Sequence, residues 1–139
     1  MTKIVINRCY GGFGLSPKAE AEYLKRKGKQ VFFYKENYER NIWIKVTNPD
    51  QLTMFYHVFT IDLGESVPND IKYSAKDYFS CYSIPRDDPD LVAVVEELGE
   101  ESWGACAKLS VVEIPDDVDW EIDEYDGMEC ISEKHQTWS

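Results

Sequence analysis

A glycine-rich turn near the N-terminus has residue types that could bind a phosphate group. Gly11, Gly12 and Gly14 stand between a β-branched segment and the pair Ser16-Pro17, which is typical of a helix start. At such a turn, backbone amides and the helix dipole can hold an anion. The pattern is neither a dinucleotide fingerprint nor a P-loop, so a tight connection that merely needs glycine is the alternative. The residues of this predicted ligand site are Arg8, Gly11, Gly12, Gly14, Ser16 and Lys18.

Acidic side chains near the C-terminus form the second candidate site. Residues 86–139 carry three Lys or Arg against seventeen Asp or Glu, whereas residues 1–50 carry ten against five. A region this acidic repels nucleic acid, because phosphate binding needs cations, and it attracts basic surfaces instead. Strand geometry would space the charges along one edge, in imitation of a phosphate track, although a solubilising edge is the alternative. The predicted partner-binding residues are Asp116, Asp117, Asp119, Glu121 and Asp123.

The cysteines and histidines form no catalytic or metal-binding spacing. The four cysteines, at positions 9, 81, 106 and 130, are far apart and include no C-x-x-C pair. Buried thiols are the expected role, with a zinc site assembled from distant strands as the alternative. Cys9 could act as a nucleophile at a helix N-terminus, but its base would have to be His57 or His135, which the sequence does not place nearby. We therefore predict a protein that is not an enzyme and has no cofactor or metal.

The hydropathy pattern bears on the cellular location of the protein. No apolar run approaches the roughly 20 residues that span a bilayer, and the N-terminal segment has no signal-peptide pattern. We therefore expect a cytoplasmic protein with no membrane partner. The sequence does not indicate its oligomeric state.

The N-terminal half predicts one helix among several strands. Residues 3–9 are β-branched and apolar, which indicates a strand. A helix over about 17–27 follows, with Ala19, Tyr23 and Leu24 facing inward and Gly28 as its stop. The remaining predicted segments are strands at 30–34 and 42–46, a turn at 48–50, a strand-like run at 52–63, and a stretch without clear pattern at 64–85.

The C-terminal half carries the clearest local signals. Asp88-Pro89 precedes apolar residues at helical spacing, which predicts a helix over 88–98. A strand at 108–114 follows. Asp126-Gly127, between alternating segments, then predicts a type I′ hairpin that pairs Tyr125 with Met128. This register sets Glu124 opposite Glu129, a like-charge pair that we expect either to be exposed and tolerated or to meet a partner.

The order of these elements favours the α+β class. We expect a mainly antiparallel sheet with two helices and a C-terminal β-hairpin. The sequence shows no repeat, linker or change of composition that marks a second domain. The prediction is therefore a single domain over residues 1–139.

Three segments resemble a family of small proteins of tailed bacteriophages and prophages, most of which have no assigned function. They are VINRCYGGFGLSPKA at the start, RDDPDLVAVVEELG, and VVEIPDDVDWEIDEYDGMEC near the end. Residues 29–80 are the variable middle, and no catalytic motif transfers.

The resemblance implies an accessory protein that works in the host cytoplasm. Small acidic phage proteins outside the virion are often inhibitors of host defence. We therefore predict an inhibitor that binds the basic surface of a nucleic-acid-directed host defence protein. The alternative is a protein that sequesters a nucleotide or cyclic-nucleotide signal at the Gly11–Ser16 loop.

Overall fold

The computed structural model describes residues 1–48, 52 and 56–133. The α+β class, the antiparallel strand pairing and the C-terminal hairpin are confirmed. Short 3-10 helices lie at Ala75–Asp77, Cys81–Ser83 and Gly99–Ser102. The helices and strands are, in chain order, β1 (Thr2–Asn7), α1 (Pro17–Arg26), β2 (Phe32–Asn37), β3 (Ile42–Val46), β4 (Tyr56–Phe59), β5 (Ser66–Pro68), β6 (Tyr78–Phe79), α2 (Pro89–Leu98), β7 (Leu109–Ile114), β8 (Trp120–Tyr125) and β9 (Met128–Glu133).

The chain divides into two compact units. The first unit comprises Met1–Tyr23 and Tyr82–Ser139, and the second comprises Leu24–Cys81. Within the described residues, the strands form three antiparallel sheets where the sequence predicts one. The prediction of a single domain over residues 1–139 stays a prediction.

The first unit has a core built from β1, β7 and α2. β1 and β7 pair antiparallel with Thr2 opposite Ile114, and α2 packs against both strands. The β-branched residues of β1 suit this central position, because they pack well on a pleated surface covered on both sides. Side chains that are buried in these elements are Ile4, Val5, Ile6, Leu91, Val92, Val94, Val95 and Leu109.

Both helices begin at the predicted capping residues. The Ser16 hydroxyl accepts the amide of Ala19 at 3.1 Å, and Pro17 is the first helical residue. The Asp88 carboxylate accepts the amides of Asp90 at 2.8 Å and Leu91 at 3.4 Å. These bonds satisfy amides that have no partner inside the helix, which is why each helix starts where it does.

The C-terminal hairpin has the predicted register. Tyr125 pairs with Met128 and Ile122 with Ile131. Asp126 and Gly127 have φ values of 54° and 90°, which is the backbone of a type I′ turn. Within the first unit, the hairpin packs on the N-terminal strand, since β9 contacts β1.

The second unit is a five-stranded antiparallel sheet in the order β5-β3-β2-β4-β6. One face carries its buried cluster of Tyr34, Trp43, Phe59 and Val67. The short strands β5 and β6 lie in the region 64–85, where the sequence gives no clear pattern. Most of the predicted turn at 48–50 and part of the strand-like run at 52–63 lie outside the described residues.

Candidate partner-binding surface

The five predicted partner-binding residues lie together along one part of the first unit, here called the acidic edge. Asp116, Asp117 and Asp119 occupy the link between β7 and β8, and Glu121 and Asp123 lie in β8. All five side chains are exposed. Glu121 and Asp123 are two residues apart in an extended strand, so they point to the same side of the hairpin.

Within the acidic edge, Asp116 has an internal role. Its carboxylate accepts hydrogen bonds from the Thr2 hydroxyl at 2.8 Å and from the N-terminal amine at 3.1 Å. These two bonds lower the pKa of Asp116, with the Thr2 hydroxyl as the larger cause. Asp116 therefore fixes the link to β1 and stays ionised.

The other four carboxylates of the acidic edge have no such partner. Among the described residues, no hydrogen bond or ion pair involves the side chains of Asp117, Asp119, Glu121 or Asp123. The rest of the first unit adds to the negative charge of the acidic edge. The first unit carries six Lys or Arg against nineteen Asp or Glu, whereas the second carries nine against seven. The acidic edge is thus an exposed surface of a first unit that is itself strongly negative.

A buried ion pair holds the hairpin in place. Glu129 is 7% exposed, and its carboxylate binds the Arg86 guanidinium through two hydrogen bonds of 2.6 and 2.9 Å. It also accepts the backbone amide of Asn7 at 2.8 Å. Arg86 further donates to the carbonyl of Val5 at 3.3 Å and stacks on the ring of Phe13 at 3.7 Å. This network joins β9 to β1 and to the glycine-rich turn.

The expectation for the pair Glu124 and Glu129 was therefore wrong. The two residues are opposite each other in the register, but Glu129 is neither exposed nor directed at an external partner. Its charge is compensated by Arg86, while the Glu124 carboxylate accepts the amide of Gly127 at 3.1 Å. Each of the two carboxylates thus accepts hydrogen bonds from a different donor within the first unit.

The side chain of Asn7 connects the same network to the hairpin turn. Asn7 is fully buried, and its amide nitrogen donates to the carbonyls of Cys9 and Gly127, both at 2.7 Å. Its side-chain oxygen accepts the amides of Lys108 at 2.9 Å and Cys9 at 3.3 Å. A buried polar group with all its bonds made fixes one arrangement of the chain around it.

The glycine-rich turn packs against backbone. The Gly11 amide donates to the carbonyl of Asp126 at 3.2 Å. A side chain on Gly127 would collide with the amide nitrogen of Gly12 and lie 2.7 Å from that of Gly11. A side chain on Gly104 would lie 2.7 Å from the carbonyl carbon of Gly14. The close contacts account for glycine at positions 104 and 127, and the φ values of 123° and 102° account for it at positions 11 and 12, in each case without a ligand.

The other residues of the predicted ligand site have internal contacts or lie away from the turn. Ser16 caps α1, and its hydroxyl donates to the carbonyl of Glu101 at 2.5 Å. Lys18 forms an ion pair with Glu101 at 2.9 Å. Arg8 is exposed and lines a groove beside β9. Nucleotide binding at this loop stays a prediction, and no contact described here favours it.

The structure does not bring together the described residues considered for catalysis. Cys9 is half-buried in the first unit, His57 belongs to the second unit, and His135 lies outside the described residues. Among the described residues, no group of three or more His, Cys, Asp or Glu side chains is arranged to hold a metal ion.

A separate polar cluster lies on the sheet of the second unit. The Glu36 carboxylate accepts the indole N–H of Trp43 at 3.3 Å and contacts the imidazole Nε2 of His57 at 3.2 Å. The bond from His57 is the largest cause that lowers the pKa of Glu36, and bonds from Tyr38 and Trp43 add to it. An ionised carboxylate only accepts hydrogen bonds, so Nε2 is the donor.

This lowered pKa gives a pH-dependent prediction. A carboxyl group whose pKa is lower in the folded state stabilises the fold above its unfolded pKa, about 4.3 for Glu, and loses that effect as the pH falls through the folded pKa. Glu36→Gln should therefore be less stable than the wild type at pH 7, and the difference should shrink below about pH 4. Thermal unfolding across this range measures it, with the exposed Glu39→Gln as the control. A difference independent of pH would contradict the prediction.

Two further results bear on the identity of the chain. None of the helices in the described part of the chain has the length and apolar character needed to cross a membrane. Comparisons with known protein families, with curated proteins and with solved structures give no match to this chain.

Proposed function

We propose that this protein acts by binding, and that the acidic edge docks on a basic surface of another protein. The observation that carries the proposal is the set of four exposed carboxylates, Asp117, Asp119, Glu121 and Asp123, which have no internal partner among the described residues. Exposed charges of this kind contribute little to stability, and like charges near one another repel. A cationic partner would relieve that repulsion.

The support beneath the acidic edge favours recognition over a merely solubilising role. The ion pair of Arg86 with Glu129 and the bonds of Asn7 fix the hairpin to the first unit. Asp116 fixes the preceding link to Thr2. A rigid array loses little conformational freedom on binding, which increases affinity for a partner with matching charges.

The class of partner follows from the sign and arrangement of the charges. Nucleic acid is repelled by such a surface, whereas a protein that itself binds nucleic acid presents cations in a row. Glu121 and Asp123 lie on one face of β8, where side chains repeat about every 7 Å. Asp117 and Asp119 precede them in the link, so the acidic edge offers several negative charges close together in the sequence. We propose a nucleic-acid-directed host defence protein as the target and the host cytoplasm as the location, for which the phage resemblance is the support.

Charge reversal tests this proposal. The triple variant Asp117→Lys, Asp119→Lys and Glu121→Lys should abolish capture of the partner from a bacterial host lysate, with little change in melting temperature. The matched control is Asp87→Lys, Glu100→Lys and Glu39→Lys, three exposed acids elsewhere that change the net charge equally. Retained capture by the first triple, or equal loss by both triples, would refute a site at the acidic edge.

A further inference from the structure

An apolar groove lies beside the acidic edge in the first unit. Its volume is about 320 Å³, and it runs between the β1–β7 sheet and β9. Aliphatic side chains and one proline form its walls, namely Ile6, Val112, Ile114, Pro115, Val118 and Ile131. Val112, Ile114, Val118 and Ile131 are each only half-buried, so the groove presents apolar surface to solvent.

The link from β7 to β8 contributes residues to both the apolar groove and the acidic edge. Pro115 and Val118 line the groove, and the exposed Asp117 and Asp119 lie beside them in the sequence. Glu133 also lines the groove near this link, because it pairs with Trp120 at the start of β8. One end of the groove is therefore acidic.

The opposite end of the groove has a different charge. Arg8 lines the groove just beyond the last residue of β1, whereas Ile114 and Pro115 lie at the other end of the paired strands. A chain lying along the groove would meet a cation at one end and carboxylates at the other. This arrangement selects a direction for the bound segment as well as its composition.

We propose that the groove takes one large apolar side chain of the basic partner, an aliphatic or aromatic anchor with lysines or arginines next to it. The inference rests on the proposed function, because the acidic edge must attract the same partner. The volume is at the lower end of the roughly 300–1,000 Å³ of ligand clefts, which suits a single anchor. Interfaces commonly combine a buried apolar anchor with a charged rim.

Synthetic peptides test the anchor separately from the charge. The probe is a fluorescein-labelled lysine–glycine peptide with a central tryptophan, compared with the same peptide carrying serine at that position. Burial of a large apolar side chain should make the tryptophan peptide bind about tenfold to a hundredfold more tightly. Fluorescence anisotropy at low salt measures both affinities.

Two groove variants should remove this advantage. Ile131→Ser and Val118→Ser each remove an apolar wall residue. Each should weaken the tryptophan peptide while leaving the serine peptide unchanged. Val31→Ser, a half-buried valine of the second unit, is the matched control and should change neither affinity.

Each other outcome overturns the inference in a recognisable way. Equal binding of both peptides to the wild type would reject the anchor but leave the charge-based function standing, whereas binding of neither peptide would reject both. Equally tight binding of a tryptophan peptide with glutamate in place of lysine would show a general apolar site. A dimer in sedimentation that Ile131→Ser dissociates would assign the groove to a second copy of the chain.

Discussion

Replacing Glu129 with Ala should destabilise the first unit by about 3–5 kcal/mol, because the change leaves the largely buried charge of Arg86 without its partner. Arg86 would lose both of its hydrogen bonds to the carboxylate, and the amide of Asn7 would lose its acceptor. Since small proteins have only about 5–15 kcal/mol of total stability, this loss is large. Chemical denaturation followed by circular dichroism measures it.

A control and a double variant separate the cause from general damage to the hairpin. Glu121→Ala removes an exposed carboxylate from the neighbouring strand and should change stability by less than about 0.5 kcal/mol. The variant Arg86→Met with Glu129→Leu removes both charges and should recover much of the loss, since apolar pairs replace buried ion pairs well. A double variant as unstable as Glu129→Ala, or a Glu129→Ala variant as stable as the wild type, would contradict this role.

Replacing Gly127 with Ala should destabilise the protein by more than about 2 kcal/mol. A residue with a side chain is strained at φ 90°, with a cost of order 1–3 kcal/mol. The new Cβ atom would also lie 2.7 Å from the amide nitrogen of Gly11 and collide with that of Gly12. The hairpin turn would have to move away from the glycine-rich turn, which breaks the bond between Gly11 and Asp126.

Gly12→Ala is the matched control for this contact. Gly12 has a φ of 102°, but no atom lies within 4 Å of the position its Cβ would take. Both variants carry backbone strain, so the difference between their free energies of unfolding reports the collision at Gly127. Equal losses of stability in the two variants would mean that the hairpin turn is not in close contact with the glycine-rich turn.

Local features of the fold are those that the sequence could predict. The cap at Asp88 and the register at Asp126-Gly127 depend on residues a few positions apart, and the structure confirms both. The distribution of strands among separate sheets depends on contacts between distant residues, such as Thr2 with Ile114. The pattern of each strand does not encode such pairings. The strands β5 and β6 have only three and two residues, too few to show alternation.

The same distinction applies to the candidate site. The acidic edge could be predicted, because a cluster of acids in a linear sequence is exposed unless enough cations are near. The burial of Glu129 could not, because its partner Arg86 is 43 residues away. A signal was present: Arg86 is the only Lys or Arg between Lys76 and Lys108. A lone cation in an acidic region is a candidate for an internal ion pair.

The salt dependence of association tests the central claim most directly. The measurement is the association rate constant between this protein and its captured partner, taken from about 50 to 500 mM salt. If the acidic edge attracts a basic surface, the rate constant should fall at least about tenfold over this range. The neutralised triple variant Asp117→Asn, Asp119→Asn and Glu121→Gln should lose most of this dependence, while the matched triple Asp87→Asn, Glu100→Gln and Glu39→Gln should keep most of it. A wild-type rate constant that does not change with salt would contradict the claim.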